Sequence, residues 1–202
     1  MHRVYCALRL NLPRRTKRRL PARVRHPLEA RPVLNGTWAL GFMLEALYDG
    51  RRFRVLNVRD EGNREALAVE IANSLSSVRV VAVLEQLVAQ HGAPAALRCD
   101  NGPELIAQAL TLWCEERGIA LRHIQPGRPD QNAFIERFNR TYRTEVLDAW
   151  LFTLLAQVRE VTATWLDVYN TKRPHDSLGR VPPLTFLPRP TSLLESSFPL
   201  ST

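Results

Sequence analysis

Three β-rich runs close together, followed by helices and short apolar runs in alternation, limit this chain to a sheet with helices packed against it. Residues 38–48 and 53–58 flank Asp49-Gly50-Arg51-Arg52. An Asp-Gly pair accepts the positive φ of a tight turn, so the two runs read as an antiparallel hairpin. Residues 66–71, after Asn63, predict a third strand. Val78, Val81, Leu84, Leu87 and Val88 recur at helical spacing within residues 74–91, and Gly92 stops that helix. Residues 95–99 predict a buried strand ending at Asp100, residues 104–117 a helix stopped by Gly118, and residues 119–124 a fifth strand. Pro129 suits a first helical turn and predicts a helix to residue 147. A further helix covers residues 154–169, before a Pro-rich tail from Pro174. The order β-β-β-α-β-α-β-α-α implies an α/β fold: a three-strand meander, then alternating helices and strands, in one mixed sheet flanked by helices.

A chain of 202 residues accommodates one core of about 100–150 residues with an arm or tail. Its charge is concentrated at one end. Residues 1–31 hold ten Lys/Arg against the single acid Glu29, a balance of +9, whereas the other 171 residues hold 18 basic and 19 acidic side chains. Arg14, Arg15, Lys17, Arg18 and Arg19 suit phosphate binding without sequence readout, driven by counterion release. Three cysteines, Cys6, Cys99 and Cys114, have no paired spacing. They argue against a disulfide framework and fit a reducing cytoplasm. No apolar run approaches the ~18–20 residues needed to span a bilayer, so no membrane partner is expected. Histidines 2, 26, 91, 123 and 175 with Cys6 form no zinc pattern.

Two runs carry the chemistry. Arg98-Cys99-Asp100-Asn101-Gly102-Pro103-Glu104 and Gln131-Asn132-Ala133-Phe134-Ile135-Glu136-Arg137 set Asp100 and Glu136 apart by 35 intervening residues. Phosphodiester cutting requires a strong nucleophile and a stabilised leaving oxygen, and two Mg²⁺ ions about 3.5–4 Å apart supply both. Mg²⁺ is held by a few carboxylates and keeps several waters. Asp100 at a strand end and Glu136 on a helix are candidates for such a site. Asn132, Glu136, Arg140 and Arg143 share one helical face, with Phe134, Ile135, Phe138, Tyr142 and Val146 on the other. An ordinary Glu136–Arg140 pair on a solvated helix accounts for the same spacing.

Asp-Asn-Gly-Pro-Glu at 100–104, the run from Gln125 to Arg140 and Tyr-Asn-Thr-Lys-Arg-Pro-His at 169–175 together resemble the insertion-sequence transposases that share a catalytic core with retroviral integrases. The resemblance implies a ribonuclease-H-like fold over residues 37–187, Mg²⁺ or Mn²⁺ as cofactor, and cutting and joining of transposon ends to target DNA by a homo-multimer. Asp100 and Glu136 match the second and third metal-binding acids. The first acid falls at Gly41, which has no ligand oxygen and weakens a strand interior. If Asp49-Gly50 centres the hairpin, Arg59 or Asp60 lies opposite Gly41, making Asp60 the candidate substitute ligand.

Arg128, Arg137, Arg140 and Arg143, with Asn132, are the expected backbone contacts around Glu136. Residues 1–36 resemble the end of a linker that follows a helix-turn-helix domain, and residues 188–202 are expected to be a disordered tail. The expected protein is a bacterial, cytoplasmic DNA-binding core, nucleoid-associated when bound. Its strand transfer is impaired at Gly41; the alternative is a dead decoy or regulator of an intact transposase. Cys99, Trp113 and Trp165 are expected in the core, and His175 in a structural or DNA-adjacent position.

Overall fold

A computed structural model describes residues 31–100, 102, 108–125 and 129–189. Five strands, β1 (Trp38–Ala46), β2 (Arg52–Asp60), β3 (Ala66–Ala72), β4 (Ala96–Cys99) and β5 (Ala120–His123), form one sheet in the order β3-β2-β1-β4-β5. The first three are an antiparallel meander. β4 lies parallel to β1, and β5 parallel to β4. The Asp49-Gly50 turn is where predicted, with Gly50 at φ 84°, a backbone state glycine reaches without steric cost.

Helices α1 (Ser77–His91) and α2 (Gln108–Glu116) pack on one face, around Trp38, Leu40, Leu56, Val58 and Leu97. Ser76 caps α1, its hydroxyl accepting from Arg79 N. The buried face of α1 is Val80, Val83, Leu84 and Leu87, while Val78 is 70% exposed. Of the five apolar positions expected on the packed face, Leu84 and Leu87 are buried and Val81 and Val88 pack against the core, so only Val78 lies off it. Trp113 and Cys99 are buried in this layer, as expected. Burial raises the Cys99 thiol to about 12, which suits a core side chain and not a nucleophile.

Helices α3 (Ala133–Tyr142) and α4 (Leu155–Thr171) cover the other face, around Ala39, Met43, Phe53, Val55 and Ile71. A 3-10 turn (Pro129–Asn132) precedes α3, and a π-helical turn (Arg143–Leu147) continues it. Phe138, Tyr142, Trp165 and Tyr169 form a connected aromatic cluster, with adjacent ring centroids 4.9 to 6.5 Å apart. Tyr142, fully buried, shares a 2.7 Å hydrogen bond with Thr162. Tyr142→Phe leaves the buried Thr162 hydroxyl without this partner. Urea unfolding should show a loss of about 1–2 kcal/mol, within the range for an orphaned buried hydroxyl.

Beyond α4 the chain is more ordered than a Pro-rich tail from Pro174 suggests. His175 bridges to Val181, and a short helix α5 (Pro183–Phe186) follows. Arg189, assigned by sequence to a disordered tail, is only 12% exposed in its side chain. It joins Asp60 at 2.8 Å, Glu65 at 2.5 Å and Asn35 Oδ1 at 2.9 Å. Asn35, assigned to the basic arm, also donates its backbone N–H to Asp60 and its side-chain amide to His91 O. The basic run at 14–19 and residues 190–202 lie outside the described residues.

Candidate active site

β1 and β4 pair in parallel with Trp38 beside Leu97 and Ala39 beside Arg98. Continued by two residues, the same offset sets Gly41 level with Asp100, the residue just past β4. On the opposite face of the site, α3 crosses β1 at Gly41. Asn132 Nδ2 donates to Leu40 O at 3.2 Å, and a Cβ built on Gly41 would sit 2.8 Å from Ile135 Cγ1 and 3.0 Å from Asn139 Nδ2. Glu136 is the next residue on this helix. The positions of Gly41, Asp100 and Glu136 therefore converge around the middle of β1.

The side chains at that junction differ from a carboxylate cluster. Glu136 is exposed and forms no ion pair with Arg140 or any other described residue. Asp100 is half-buried, and its Oδ1 accepts from Gly102 N at 2.9 Å. The space an acid would fill at residue 41 is taken by Ile135 and by amides. Asn57, buried and directly opposite Gly41, donates to Asn139 Oδ1 at 2.7 Å. Asn57 Oδ1 and Asn132 Oδ1 are buried without hydrogen-bond partners. Among the described residues no three His, Cys, Asp or Glu side chains come together as a metal site. Two carboxylates and a glycine do not fit a paired-ion centre.

Asp60 does not lie opposite Gly41. The hairpin register pairs Gly41 with Asn57 and Asp60 with Trp38, so Asp60 lies three residues along β2 from the actual partner of Gly41. The tight turn takes in Leu47 and Arg51 as its closing pair, which moves the strand offset from the expected value. Asp60 is also fully buried, and its two oxygens accept from Asn35 N, Gly62 N and Arg189. Its surroundings are those of a structural anion. Gly41 likewise does not loosen the strand: β1 continues unbroken through it, because α3 covers the gap.

The expected backbone-contact residues divide into three groups. Arg137 and Arg140 are exposed on α3 beside Glu136. Arg143 is turned to Glu45 in an ion pair, which neutralises it. Asn132 is 3% exposed and belongs to the α3–β1 contact, so it faces inward and not toward a ligand. Arg128 lies outside the described residues. Sequence reasoning missed Asn57 and Asn139 altogether; the only signal was a polar residue at a buried position of each apolar pattern.

Two models described as "Integrase core domain" match residues 34–129 and 117–183. The Insertion element IS476 uncharacterized 39.2 kDa protein of Xanthomonas euvesicatoria is 40% identical over 186 residues, 92% of this chain and 54% of the relative. The Insertion element IS407 uncharacterized 31.7 kDa protein of Burkholderia multivorans is 37% identical over 186 residues, 92% of this chain and 67% of the relative. The chain thus spans about half to two thirds of these proteins. Among solved structures, the HTLV-2 integrase catalytic core domain in complex with magnesium (trimeric form) aligns with a TM-score of 0.63 at 14% identity, over 78% of this chain and 99% of that one. The fold is ribonuclease-H-like. The chain belongs to the insertion-sequence transposases built on an integrase-type core. Among the described residues no helix is long and apolar enough to cross a membrane.

Proposed function

We propose that this chain is a DNA-binding transposase core whose strand cutting and joining are disabled at Gly41. The observation that carries this reading is the filled space at residue 41, where Ile135 and Asn139 stand in the volume of the missing acid. In the family's chemistry, divalent ions held by three carboxylates activate a nucleophile and stabilise the leaving oxygen. Here Asp100 and Glu136 supply two carboxylates, and groups that work as one unit lose most of their effect when one is removed. Asp100 and Glu136 are therefore proposed as remnants of the Mg²⁺ or Mn²⁺ site, and Asp60 as structural. DNA affinity survives this loss because it rests on other residues. Exposed Arg137 and Arg140, with Arg128 and the basic arm, favour a phosphate backbone, for transposon ends or target DNA, and binding by a homo-multimer follows the same resemblance.

The test is a strand-transfer assay in Mn²⁺ paired with fluorescence-anisotropy binding to a DNA duplex. Wild-type protein should bind with an affinity that falls linearly in log–log salt and yield no joined product. Arg140→Ala should reduce the salt slope by about 1, as expected for one lost phosphate contact. Joined product from the wild type at a rate matching Gly41→Asp/Ile135→Ala would sink the reading.

A further inference from the structure

A second basic feature lies on the other flank of α3. Phe134, Arg137, Phe138 and Thr141 share that flank, and together with Arg59 on β2 and the segment from Tyr169 to Ser177 they enclose a cleft of about 160 Å³. That volume is well above the ~10–15 Å³ a single water requires. Arg59 is 5% exposed and opens onto this cleft. Its Nε donates to Arg64 O at 2.9 Å and its Nη1 to Phe134 O at 2.8 Å; no described carboxylate lies within ion-pair distance, and Tyr169 and Glu61 offset its charge only in part. A guanidinium stays charged in proteins, and a buried charge whose counter-charge is not in contact with it is costly.

The rest of the wall is also cationic. Arg137 has no carboxylate partner among the described residues, and Arg173 is held by Glu145. His175 lies edge-on to Tyr169, with its Nε2 3.3 Å from Tyr169 O. Burial holds His175 below the usual imidazole range, and the charges of Arg59, Arg173 and Arg137 push the same way. The acid at the rim, Asp176, has an 88% exposed side chain and faces Arg180 at 3.9 Å. The cleft thus presents the guanidinium groups of Arg59 and Arg137, neither in a close ion pair with a described carboxylate, and the Ser177 hydroxyl to a cavity of oxyanion size.

We propose that this cleft is a phosphate site, in which Arg59 and Arg137 bind one backbone phosphate of a DNA strand that passes over the exposed face of α3. Arg137 lies between Glu136 and Arg140 on one side and the cleft on the other, so a strand contacting those residues reaches it. This inference rests on the DNA-binding reading above, and the experiment separates the two. Ser177→Glu introduces a carboxylate at an exposed position of the wall without touching the core. Inorganic phosphate should raise the melting temperature of the wild type above that in chloride at equal ionic strength, and shift the His175 ring resonances toward the protonated form. Both effects should vanish in Ser177→Glu, and its affinity for a DNA duplex should drop severalfold, as should that of Arg137→Gln. A preference for 5′-phosphorylated over 5′-hydroxyl strands, lost in Ser177→Glu, would overturn the backbone assignment in favour of a strand end. If Ser177→Glu binds DNA like the wild type while Arg140→Ala is weakened, the cleft is no phosphate site and the DNA-binding reading stands. If no variant alters DNA affinity and the wild type shows no salt dependence, both fail.

Discussion

Arg189→Ala should remove about 3–5 kcal/mol of folding stability, the cost of breaking a buried ion pair from one side. Asp60 and Glu65 are 0% and 6% exposed, and Arg189 bonds to both, as well as to Asn35. Removing the guanidinium leaves two buried carboxylates facing each other's charge, with only neutral donors from Asn35, Gly62 and Asn63. For a domain whose total stability is about 5–15 kcal/mol, that loss approaches global unfolding. Arg189→Lys should recover part of it, since one ammonium cannot reproduce the forked geometry that reaches three side chains at once. Urea titrations of the three proteins check this. A change below 1 kcal/mol in the alanine variant would mean that the segment carrying Arg189 does not close over the sheet.

Placing an acid at residue 41 should also be destabilising. Any side chain at residue 41 starts 2.8 Å from Ile135 Cγ1, closer than Cβ contacts in folded proteins allow. Gly41→Ala should cost about 1–3 kcal/mol through overpacking. Gly41→Asp should cost at least as much, because it also buries a carboxylate beside the Asn57–Asn139 amide pair. Ile135 is 1% exposed, so Ile135→Ala alone should cost about 2–5 kcal/mol. In the double variant the two losses should not add, since the truncated side chain vacates the space the aspartate requires. Strict additivity in the denaturation cycle would show that α3 is not packed on Gly41. The same double variant is the proper control for strand transfer, because the single aspartate variant confounds a regained ligand with a displaced helix.

Much of this architecture was legible in the chain. Strand alternation, the Asp-Gly turn and the glycine stops reproduced the strand and helix order, because those signals are local and repeat within one turn or one pleat. Phase and register were less legible. Val78 satisfied the helical period of α1 and is exposed, since a stripe of five apolar residues fits two neighbouring phases. The hairpin offset was out by two, which moved Asp60 from the neighbourhood of Gly41 to a position opposite Trp38. Asn132 was read as polar and therefore outward, although its amide joins the start of α3 to β1. Polarity indicates a need for partners and not the direction in which they are found.

The sequence by itself determined the fold class, the family and the presence at residue 41 of a glycine, which offers no ligand oxygen, because motif identity and periodicity are written in neighbouring residues. Only the tertiary structure decided what surrounds that glycine. Ile135, 94 positions further along the chain, closes the gap and keeps β1 intact, and Arg189, 129 residues from Asp60, commits that acid to the core. Both outcomes depend on which distant side chains meet when helices pack on a sheet, and close packing leaves no such space empty.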